Sequence, residues 1–338
     1  KVTINDGDLF TLTTREILGN NTIGSISYKN LINDVQIGTS ILVNDGLIEL
    51  KVEKVGDTDI VCRVINGGVI SDRKAINVPG VHLSLPFLSD VDRRDLEFAM
   101  KTGFDFFALS FVRCAEDVLE VRRLQKEHNN TSKLIAKIES QEGVENLDAI
   151  IDVADGIMVA RGDMGVEIPF EKVPVVQKDM ISKCLKSGKF VIVATQMLES
   201  MTHNPRPTRA EVNDVANAIF DQTSAVMLSG ESAAGDYPVE AVKTMSRICH
   251  EIEKTTTTGK FEITYNGSNL ASSIACAACS IASVINADAI IPVSLSGSTI
   301  RKVSGFRPNI NIIGCSTNER VCRETSLMWG VTPVLITE

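Results

Sequence analysis

Five short apolar runs, separated by amphipathic segments, constrain the fold of this chain more than any other feature. The runs are Phe106–Phe111, Leu134–Ala136, Gly156–Ala160, Phe190–Thr195 and Ala225–Ser229. The segments between them, such as E-D-V-L-E-V-R-R-L-Q-K-E, space their apolar residues as a helix does. Strands of a parallel sheet are buried on both faces and therefore read as continuous apolar runs. The repetition predicts alternating strands and helices around a parallel sheet.

The apolar runs end in polar or charged residues. Lys137 and Glu139 follow one run, and Gly162 and Asp163 follow the next. In a TIM barrel the carboxyl ends of the strands meet at one face, where the chemistry takes place. An isolated Lys-x-Glu pair is more often a surface ion pair. The second strand also ends in Gly-Asp, and this favours a metal- and anion-binding site.

The residue types at these strand ends suit a metal-dependent enzyme that acts on a small anion. Mg²⁺ takes one or two protein carboxylates and fills its shell with water and substrate oxygens, so Glu139 and Asp163 are candidate ligands. Lys137 would neutralise charge on a transferring phosphoryl group or an enolate oxygen. Gly162, expected at a tight turn, would offer a backbone N–H to a substrate carboxylate, and Thr195 a hydroxyl. These residues do not decide between phosphoryl transfer and carbon–carbon cleavage.

Two common catalytic motifs are absent from the sequence. Neither a G-x-x-x-x-G-K-[ST] phosphate loop nor a G-x-S-x-G nucleophile elbow occurs, so P-loop and hydrolase interpretations have no support.

The five predicted strand–helix units are three fewer than an eight-stranded barrel needs. We expect the other three strands to precede Lys1, where the chain opens without a methionine.

The flanking regions predict two further domains. Residues 1–80 contain short β-rich runs separated by turn signals such as Asn44-Asp45-Gly46, which indicates a small β-barrel or sandwich. A linker is expected at 253–268, and residues 255–338 predict a small doubly wound α/β domain that is cut short. Residues 81–254 then form the barrel portion, whose first helix is expected to begin after Ser89 and end at Gly103.

Composition narrows the class of protein. The net charge of −9 argues against general nucleic-acid or membrane binding. The eight cysteines are scattered and no secretory signal is present, which favours a reduced, cytoplasmic compartment. Cys276-Ala-Ala-Cys279 has metal or redox spacing, but it lies in an apolar run without a second pair, so buried thiols on a helix are expected.

Several longer motifs make the sequence resemble the pyruvate kinase family. They occur in family order over most of the chain, and the match is weaker from Leu270 onward. The motifs are V-N-D-G-L-I-E-L, I-N-V-P-G-V, F-A-L-S-F-V-R, I-A-K-I-E-S-Q-E-G-V, D-G-I-M-V-A-R-G-D-M-G-V-E-I-P, A-T-Q-M-L-E-S-M, N-P-R-P-T-R-A-E-V-N-D-V-A-N-A and V-M-L-S-G-E-S-A-A-G-D-Y-P.

The resemblance implies transfer of a phosphoryl group from phosphoenolpyruvate to ADP, which gives pyruvate and ATP. It implies a TIM (β/α)8 barrel, of which this chain holds about five units, with an inserted β-barrel lid and a C-terminal α/β effector domain. The implied cofactors are Mg²⁺ or Mn²⁺ and, with its ligands upstream of this chain, K⁺. A homotetramer that responds to a phosphorylated effector is usual in the family.

The resemblance also assigns roles to individual residues. Lys137 matches the essential lysine, Glu139 and Asp163 match the metal ligands, and Gly162, Asp163 and Thr195 match substrate-binding positions. The remaining matches are Lys74 near the nucleotide, Ser229 and Glu231 near the proton path to the enolate, and the effector-phosphate loop with Ser294, Ser296, Gly297, Ser298 and Thr299.

Two alternatives stay open at this point. A magnesium-dependent barrel lyase of the citrate-lyase or malyl-CoA type would also handle pyruvate or phosphoenolpyruvate, but it should lack the β domain at residues 1–80. A non-catalytic relative would have no need to keep Lys137, Glu139 and Asp163 together. The sequence does not identify the effector.

Overall fold

The computed structural model describes residues 1–256 and 270–337. Three sections follow one another along the chain: a β-rich section, a section of parallel strands and helices, and a C-terminal α/β section. No helix in the described residues is long and apolar enough to span a membrane.

The β-rich section forms a six-stranded sheet in the order β3-β2-β6-β5-β4-β8, and within the described residues β1 pairs separately with β7. Its core contains the fully buried Ile41, Leu50 and Ile60. The predicted β-rich character is confirmed, although strand β5 was not predicted. The elements are β1 (Val2–Ile4), β2 (Leu9–Thr13), β3 (Ile23–Ser25), α1 (Leu31–Asp34), β4 (Ser40–Val43), β5 (Ile48–Val55), β6 (Asp59–Asn66), β7 (Gly68–Ile70) and β8 (Ile76–Asn77).

The middle section contains five parallel strands in chain order, from β9 to β13, in the part of the chain that the structure describes. All five apolar runs are strands, as predicted. The elements are α2 (Asp90–Thr102), β9 (Phe106–Leu109), α3 (Ala115–Glu127), β10 (Lys133–Ile138), α4 (Gln141–Glu145), α5 (Leu147–Val153), β11 (Gly156–Ala160), α6 (Arg161–Glu167), α7 (Val173–Lys186), β12 (Phe190–Ala194), α8 (Arg209–Phe220), β13 (Ala225–Met227), α9 (Gly230–Ala233) and α10 (Pro238–Thr256).

The two faces of this sheet pack against different partners. Leu134 and Val159 belong to the main core, which includes residues of helices α3, α5 and α7. Ile135 and Met158 point to the other face, where Met328 of the C-terminal section joins their cluster. Burial on both faces explains why β10, β11 and β12 read as uninterrupted apolar runs.

Helix boundaries follow local capping chemistry. Helix α2 begins after Ser89, whose side chain forms a capping box with Asp92, and ends at Gly103 in the left-handed conformation, as predicted. The single helix expected between β10 and β11 is instead two short helices, because the chain leaves helical geometry at Asn146.

The C-terminal section has a parallel sheet in the order β14-β15-β16 within residues 270–337. Its last helix begins at Glu319 and ends at Thr325. The predicted linker at 253–268 is wrong at its start, since α10 continues to Thr256, and residues 257–268 lie outside the described residues. The elements are α11 (Leu270–Val284), β14 (Ala289–Ile290), α12 (Ser298–Gly305), β15 (Asn311–Ser316), α13 (Glu319–Thr325) and β16 (Val331–Leu335).

The C-terminal section contacts the amino ends of the barrel strands. Arg323 Nε donates to Asp105 Oδ2 at 2.8 Å, just before β9. Lys133 Nζ lies 3.7 Å from Glu324 Oε2 at the start of β10. Both ion pairs lie at the amino ends of the strands, whereas the candidate site residues lie at the opposite, carboxyl ends.

Candidate active site

The structure brings Lys137 and Glu139 together at the carboxyl end of β10. Lys137 Nζ lies 2.8 Å from Glu139 Oε1 and donates to Ser110 Oγ at 2.9 Å. The Lys137 side chain is partly exposed, whereas Glu139 is only 1% exposed. A buried carboxylate beside an ammonium group on one edge of a sheet is an arrangement that can hold charged ligands. Ser110 is not among the residues to which the sequence analysis assigned a role.

The second oxygen of Glu139 is also occupied. Glu139 Oε2 accepts the backbone N–H of Phe111. Phe111 has a φ of 53°, which is uncommon for a bulky side chain and turns its N–H towards the carboxylate. Sequence reasoning missed this contact, because a left-handed phenylalanine has no sequence signal.

Gly162, Asp163 and Thr195 meet at the ends of β11 and β12. Gly162 lies in the first turn of α6, so the expected tight turn is wrong. Its N–H donates to Thr195 Oγ1 at 2.8 Å, and that hydroxyl donates to Ala194 O at 2.6 Å. The N–H expected to face a substrate carboxylate is therefore paired with the Thr195 hydroxyl in this structure. Asp163 is partly buried in the same turn.

Ser229 and Glu231 lie together after β13. Glu231 is fully buried, and its two oxygens accept N–H groups from Leu198 at 3.0 Å and from Ser229 at 2.7 Å. Within the described residues, the Ser229 hydroxyl is buried without a hydrogen-bond partner. Glu231 thus ties the loop after β12 to the loop after β13.

A cleft of about 1070 Å³ separates the β-rich section from the barrel. Asp163 and Ser110 line it on the barrel side, and Asn77 lines it on the other. Across it, Asn77 Nδ2 donates to Glu167 Oε1 at 3.0 Å. Burial and the negative charge of Asp163 both raise the pKa of Glu167, whereas the hydrogen bond from Asn77 lowers it, and the net pKa is raised.

Lys74 is exposed and is not among the residues that line the cleft.

The loop Ser294–Thr299 leads into helix α12 in the C-terminal section. Gly297 precedes the helix with a φ of 73°, and an added Cβ there would lie 3.0 Å from Arg301 Nη1. Arg301 Nη1 is buried and unpaired within the described residues. Ser298 accepts a hydrogen bond from Lys302 Nζ at 3.1 Å. The loop therefore has a helix start and two basic side chains close to it.

The carboxylates present suit magnesium better than zinc. The described residues contain no group of three or more His, Cys, Asp or Glu side chains that could hold a metal. Zn²⁺ sites need three or four such ligands, whereas Mg²⁺ is bound through one or two carboxylates with water and substrate oxygens. Glu139 and Asp163 are the two carboxylates that these strand ends offer for the second arrangement.

The parallel barrel strands, with a lysine and two carboxylates at their carboxyl ends and a β section across a cleft, define an α/β-barrel enzyme that acts on anions. Family models agree with this class. The model of the pyruvate kinase barrel domain matches residues 1–242, and that of the pyruvate kinase alpha/beta domain matches residues 272–338. The chain belongs to the pyruvate kinase family, whose members are phosphotransferases, and this excludes the lyase alternative.

Curated relatives give the same result. The chain is 47% identical over 340 residues to the pyruvate kinase of Clostridium acetobutylicum, covering 99% of this chain and 72% of the relative. It is 50% identical to that of Clostridium perfringens, covering 97% and 71%. It is 46% identical to that of Staphylococcus aureus, covering 97% of this chain and 57% of the relative.

A solved structure is also similar. The crystal structure of a pyruvate kinase from Cryptosporidium parvum superimposes with a TM-score of 0.92 at 42% sequence identity. The match covers 99% of this chain and 70% of that one. The predicted fold class is confirmed.

Proposed function

We propose that this protein transfers the phosphoryl group of phosphoenolpyruvate to ADP, the last step of glycolysis. The bond between phosphorus and the enol oxygen breaks, and a terminal oxygen of ADP forms the new bond. The enolate left behind takes a proton at its methylene carbon and becomes pyruvate. The single observation that carries the proposal is the contact of Lys137 with Glu139 and Ser110 at the carboxyl ends of the strands.

Lys137 is proposed as the residue that stabilises the transferring phosphoryl group. A fixed ammonium group acts most strongly when it is already in place before charge develops. Ser110 Oγ and Glu139 Oε1 both contact Lys137 Nζ, which limits the positions of the ammonium group. The Glu139 carboxylate is in turn fixed by the Phe111 N–H.

Gly162 and Thr195 are proposed to orient the substrate carboxylate. Their N–H and hydroxyl already form one hydrogen-bonded pair, at 2.8 Å. A substrate carboxylate oxygen can replace one partner of that pair and accept the same proton. Orientation of this kind lowers the barrier because the reactants need not lose freedom in the transition state.

Glu139 and Asp163 are proposed to hold Mg²⁺ or Mn²⁺. When bound, the ion would polarise the substrate oxygens and offset the charge on the transferring group. We also propose that the enzyme depends on K⁺, because members of the family usually do. No described residue is assigned as a K⁺ ligand.

Ser229 is proposed to lie on the proton path to the enolate. Its buried hydroxyl has no partner within the described residues, so it is able to donate. Glu231 is proposed to hold Ser229 in place and not to transfer the proton itself, since its two oxygens already accept the backbone N–H groups of Leu198 and Ser229.

The remaining assignments extend the proposal. Lys74, on the β-rich section, would contact the nucleotide, and the loop Ser294–Thr299 with the nearby Arg301 would bind the phosphate of an allosteric effector. A homotetramer in the cytoplasm is proposed by resemblance to the family.

Pyruvate formation from phosphoenolpyruvate tests the function directly. Lactate dehydrogenase and NADH would report pyruvate, and ATP would be measured in the same samples by luciferase. We expect one ATP per pyruvate, with no product when ADP or Mg²⁺ is omitted. Pyruvate without ATP, or no product in the presence of K⁺, would contradict the proposal.

A further inference from the structure

Arg161 contacts two consecutive carbonyl groups at the end of β12. Its Nε donates to Ala194 O at 3.2 Å, and its Nη2 donates to Thr195 O at 2.6 Å. Asp214 on helix α8 fixes the same guanidinium group, since Nη1 lies 2.7 Å from Asp214 Oδ1. The Arg161 side chain is only 10% exposed. The planar guanidinium group holds its donors in a rigid fork that matches two neighbouring carbonyl oxygens, whereas a lysine ammonium group is a compact point charge on a flexible stem.

The backbone that Arg161 holds has an unfavourable conformation. Thr195 has a φ of 67°, and Gln196 has a φ of 54°. A β-branched residue in the left-handed region is an outlier, because its Cβ crowds the backbone. Such a conformation persists only where surrounding contacts determine it, and such residues cluster at functional sites.

The conformation at Thr195 accompanies one particular hydroxyl contact. Thr195 Oγ1 accepts the Gly162 N–H at 2.8 Å, and Gly162 is the residue next to Arg161. Arg161 therefore fixes the Thr195 carbonyl while its neighbour contacts the Thr195 hydroxyl. In the described part of the chain, the arginine forms no hydrogen bond or ion pair with Lys137 or Glu139.

We propose that Arg161 is a positioning residue for Thr195. By holding the carbonyls of Ala194 and Thr195, it keeps Thr195 left-handed and its hydroxyl directed at Gly162. Asp214 supports this by fixing the orientation of the guanidinium group. The inference rests on the proposed function for the role of Thr195 in binding phosphoenolpyruvate, whereas its structural part concerns the backbone alone.

Steady-state kinetics of the enzyme test the functional part. Arg161→Met should lower kcat/KM for phosphoenolpyruvate roughly tenfold to a hundredfold, since small misplacements of positioning groups cost this much. The KM for ADP should stay unchanged. Arg161→Lys, which can reach one carbonyl, should recover part of the loss. A merely structural arginine would instead lower the active fraction without changing the KM for phosphoenolpyruvate.

Arg122→Met is the matched control. Arg122 also donates to a backbone carbonyl, that of Val153, and pairs with the Asp155 carboxylate, but at the amino end of β11. It should lower the melting temperature while leaving kcat/KM for phosphoenolpyruvate unchanged. If Arg161→Met does not fold, Asp214→Asn keeps the arginine and should give a smaller loss in the same direction.

A double-mutant cycle asks whether Arg161 acts through Thr195. If it does, Arg161→Met combined with Thr195→Ala should lose no more activity than Thr195→Ala alone, because residues that act as a unit are not additive. Fully additive losses would overturn the inference.

A crystal structure of Asp214→Asn or Arg161→Met tests the backbone part without any activity. We expect Thr195 to leave its positive φ and its Oγ1 to move away from the Gly162 amide. An unchanged Thr195 φ in the variant would overturn the inference, even if the wild-type enzyme forms pyruvate. Absence of pyruvate formation by the wild-type enzyme would overturn the proposed function instead, and the backbone result would still decide the structural part.

Discussion

Lys133 and Lys137 lie four residues apart on strand β10 and contact opposite parts of the molecule. Lys133 Nζ lies 3.7 Å from Glu324 Oε2 of the C-terminal section, whereas Lys137 Nζ lies 2.8 Å from Glu139 Oε1. Their side chains are almost equally exposed, 25% and 24%. One strand thus places a structural lysine at its amino end and the proposed catalytic lysine at its carboxyl end.

Removing the charge of either proposed metal ligand should weaken metal dependence. We expect Glu139→Gln and Asp163→Asn to raise the Mg²⁺ concentration for half-maximal activity by about tenfold or more, because a neutral amide is a poorer ligand for Mg²⁺. Magnesium titrations of the initial rate would measure this. The exposed Glu171, eight residues after Asp163, offers a control. An equally large rise in the half-maximal Mg²⁺ concentration for Glu171→Gln would contradict the assignment of Glu139 and Asp163 as ligands.

Glycine at position 195 should fit the backbone better than alanine. Thr195 has a φ of 67°, where a Cβ costs roughly 1–2 kcal/mol. Both Thr195→Gly and Thr195→Ala lose the hydroxyl and should lose turnover, but the glycine variant should melt at the higher temperature. Thermal unfolding of the two variants side by side would measure the difference. Equal melting temperatures would mean that the left-handed conformation is not retained.

Stability should fall in acid partly through Glu211. Burial raises the pKa of this carboxyl, but hydrogen bonds from Ser200 and Thr208 outweigh that effect and lower the pKa overall. A carboxyl whose pKa is lowered by folding contributes stability at pH values above its unfolded pKa, and that contribution is lost as the pH falls. Glu211→Gln should therefore cost on the order of 1 kcal/mol at pH 7 and less near pH 4.

Chemical denaturation at pH 7 and pH 4 would measure the contribution of Glu211. Glu240→Gln, on the exposed surface of α10, serves as the control. A deficit for Glu211→Gln that stays constant between the two pH values would show that the carboxylate form is not what stabilises the fold.

Glu324 pairs with Lys133 across the contact between the C-terminal section and the barrel strands. Removing its carboxylate should destabilise the protein more than removing an exposed one. The Glu324 side chain is 7% exposed and pairs with Lys133 and with Arg320 Nε, the latter at 3.0 Å. Glu324→Ala removes the nearer acidic partner of both cations, which keep Asp155 at 4.0 Å from Lys133 and Asp105 at 3.8 Å from Arg320. A loss of about 1–3 kcal/mol is expected. Glu319, 77% exposed and 3.5 Å from Arg323 Nη1, is the control, and Glu319→Ala should cost about 0–1 kcal/mol. Urea denaturation would compare the two variants, and equal losses would contradict the argument.

Much of the fold follows from the hydrophobic pattern. The five parallel strands were predictable because burial on both faces leaves no room for polar residues within a run such as Gly156–Ala160. Strand β5 was missed although Ile48, Leu50 and Val52 are buried and alternate with more exposed residues, which is a strand signal. The break between α4 and α5 has a weaker signal, since Asn146 is compatible with a continuous helix.

The candidate site was predictable only in part. Lys137 lies near the end of a recognisable strand and Glu139 comes two residues later, so their meeting could be expected from the two-residue period of a strand. The pairing of Gly162 with Thr195 and the contact of Arg161 with two carbonyls depend on packing between β11, β12 and α8. Tertiary contacts there override the backbone preference of threonine, and no local pattern in the sequence records that.

The most direct measurement compares ADP-dependent pyruvate formation by Lys137→Met and Lys133→Met at saturating substrates. If Lys137 stabilises the phosphoryl group, Lys137→Met should lose at least about a thousandfold in kcat. Lys133→Met, on the same strand and equally exposed, should keep turnover within about threefold of wild type, since this lysine lies at the opposite end from the site. Near-normal turnover in Lys137→Met, with folding verified by circular dichroism, would contradict the account.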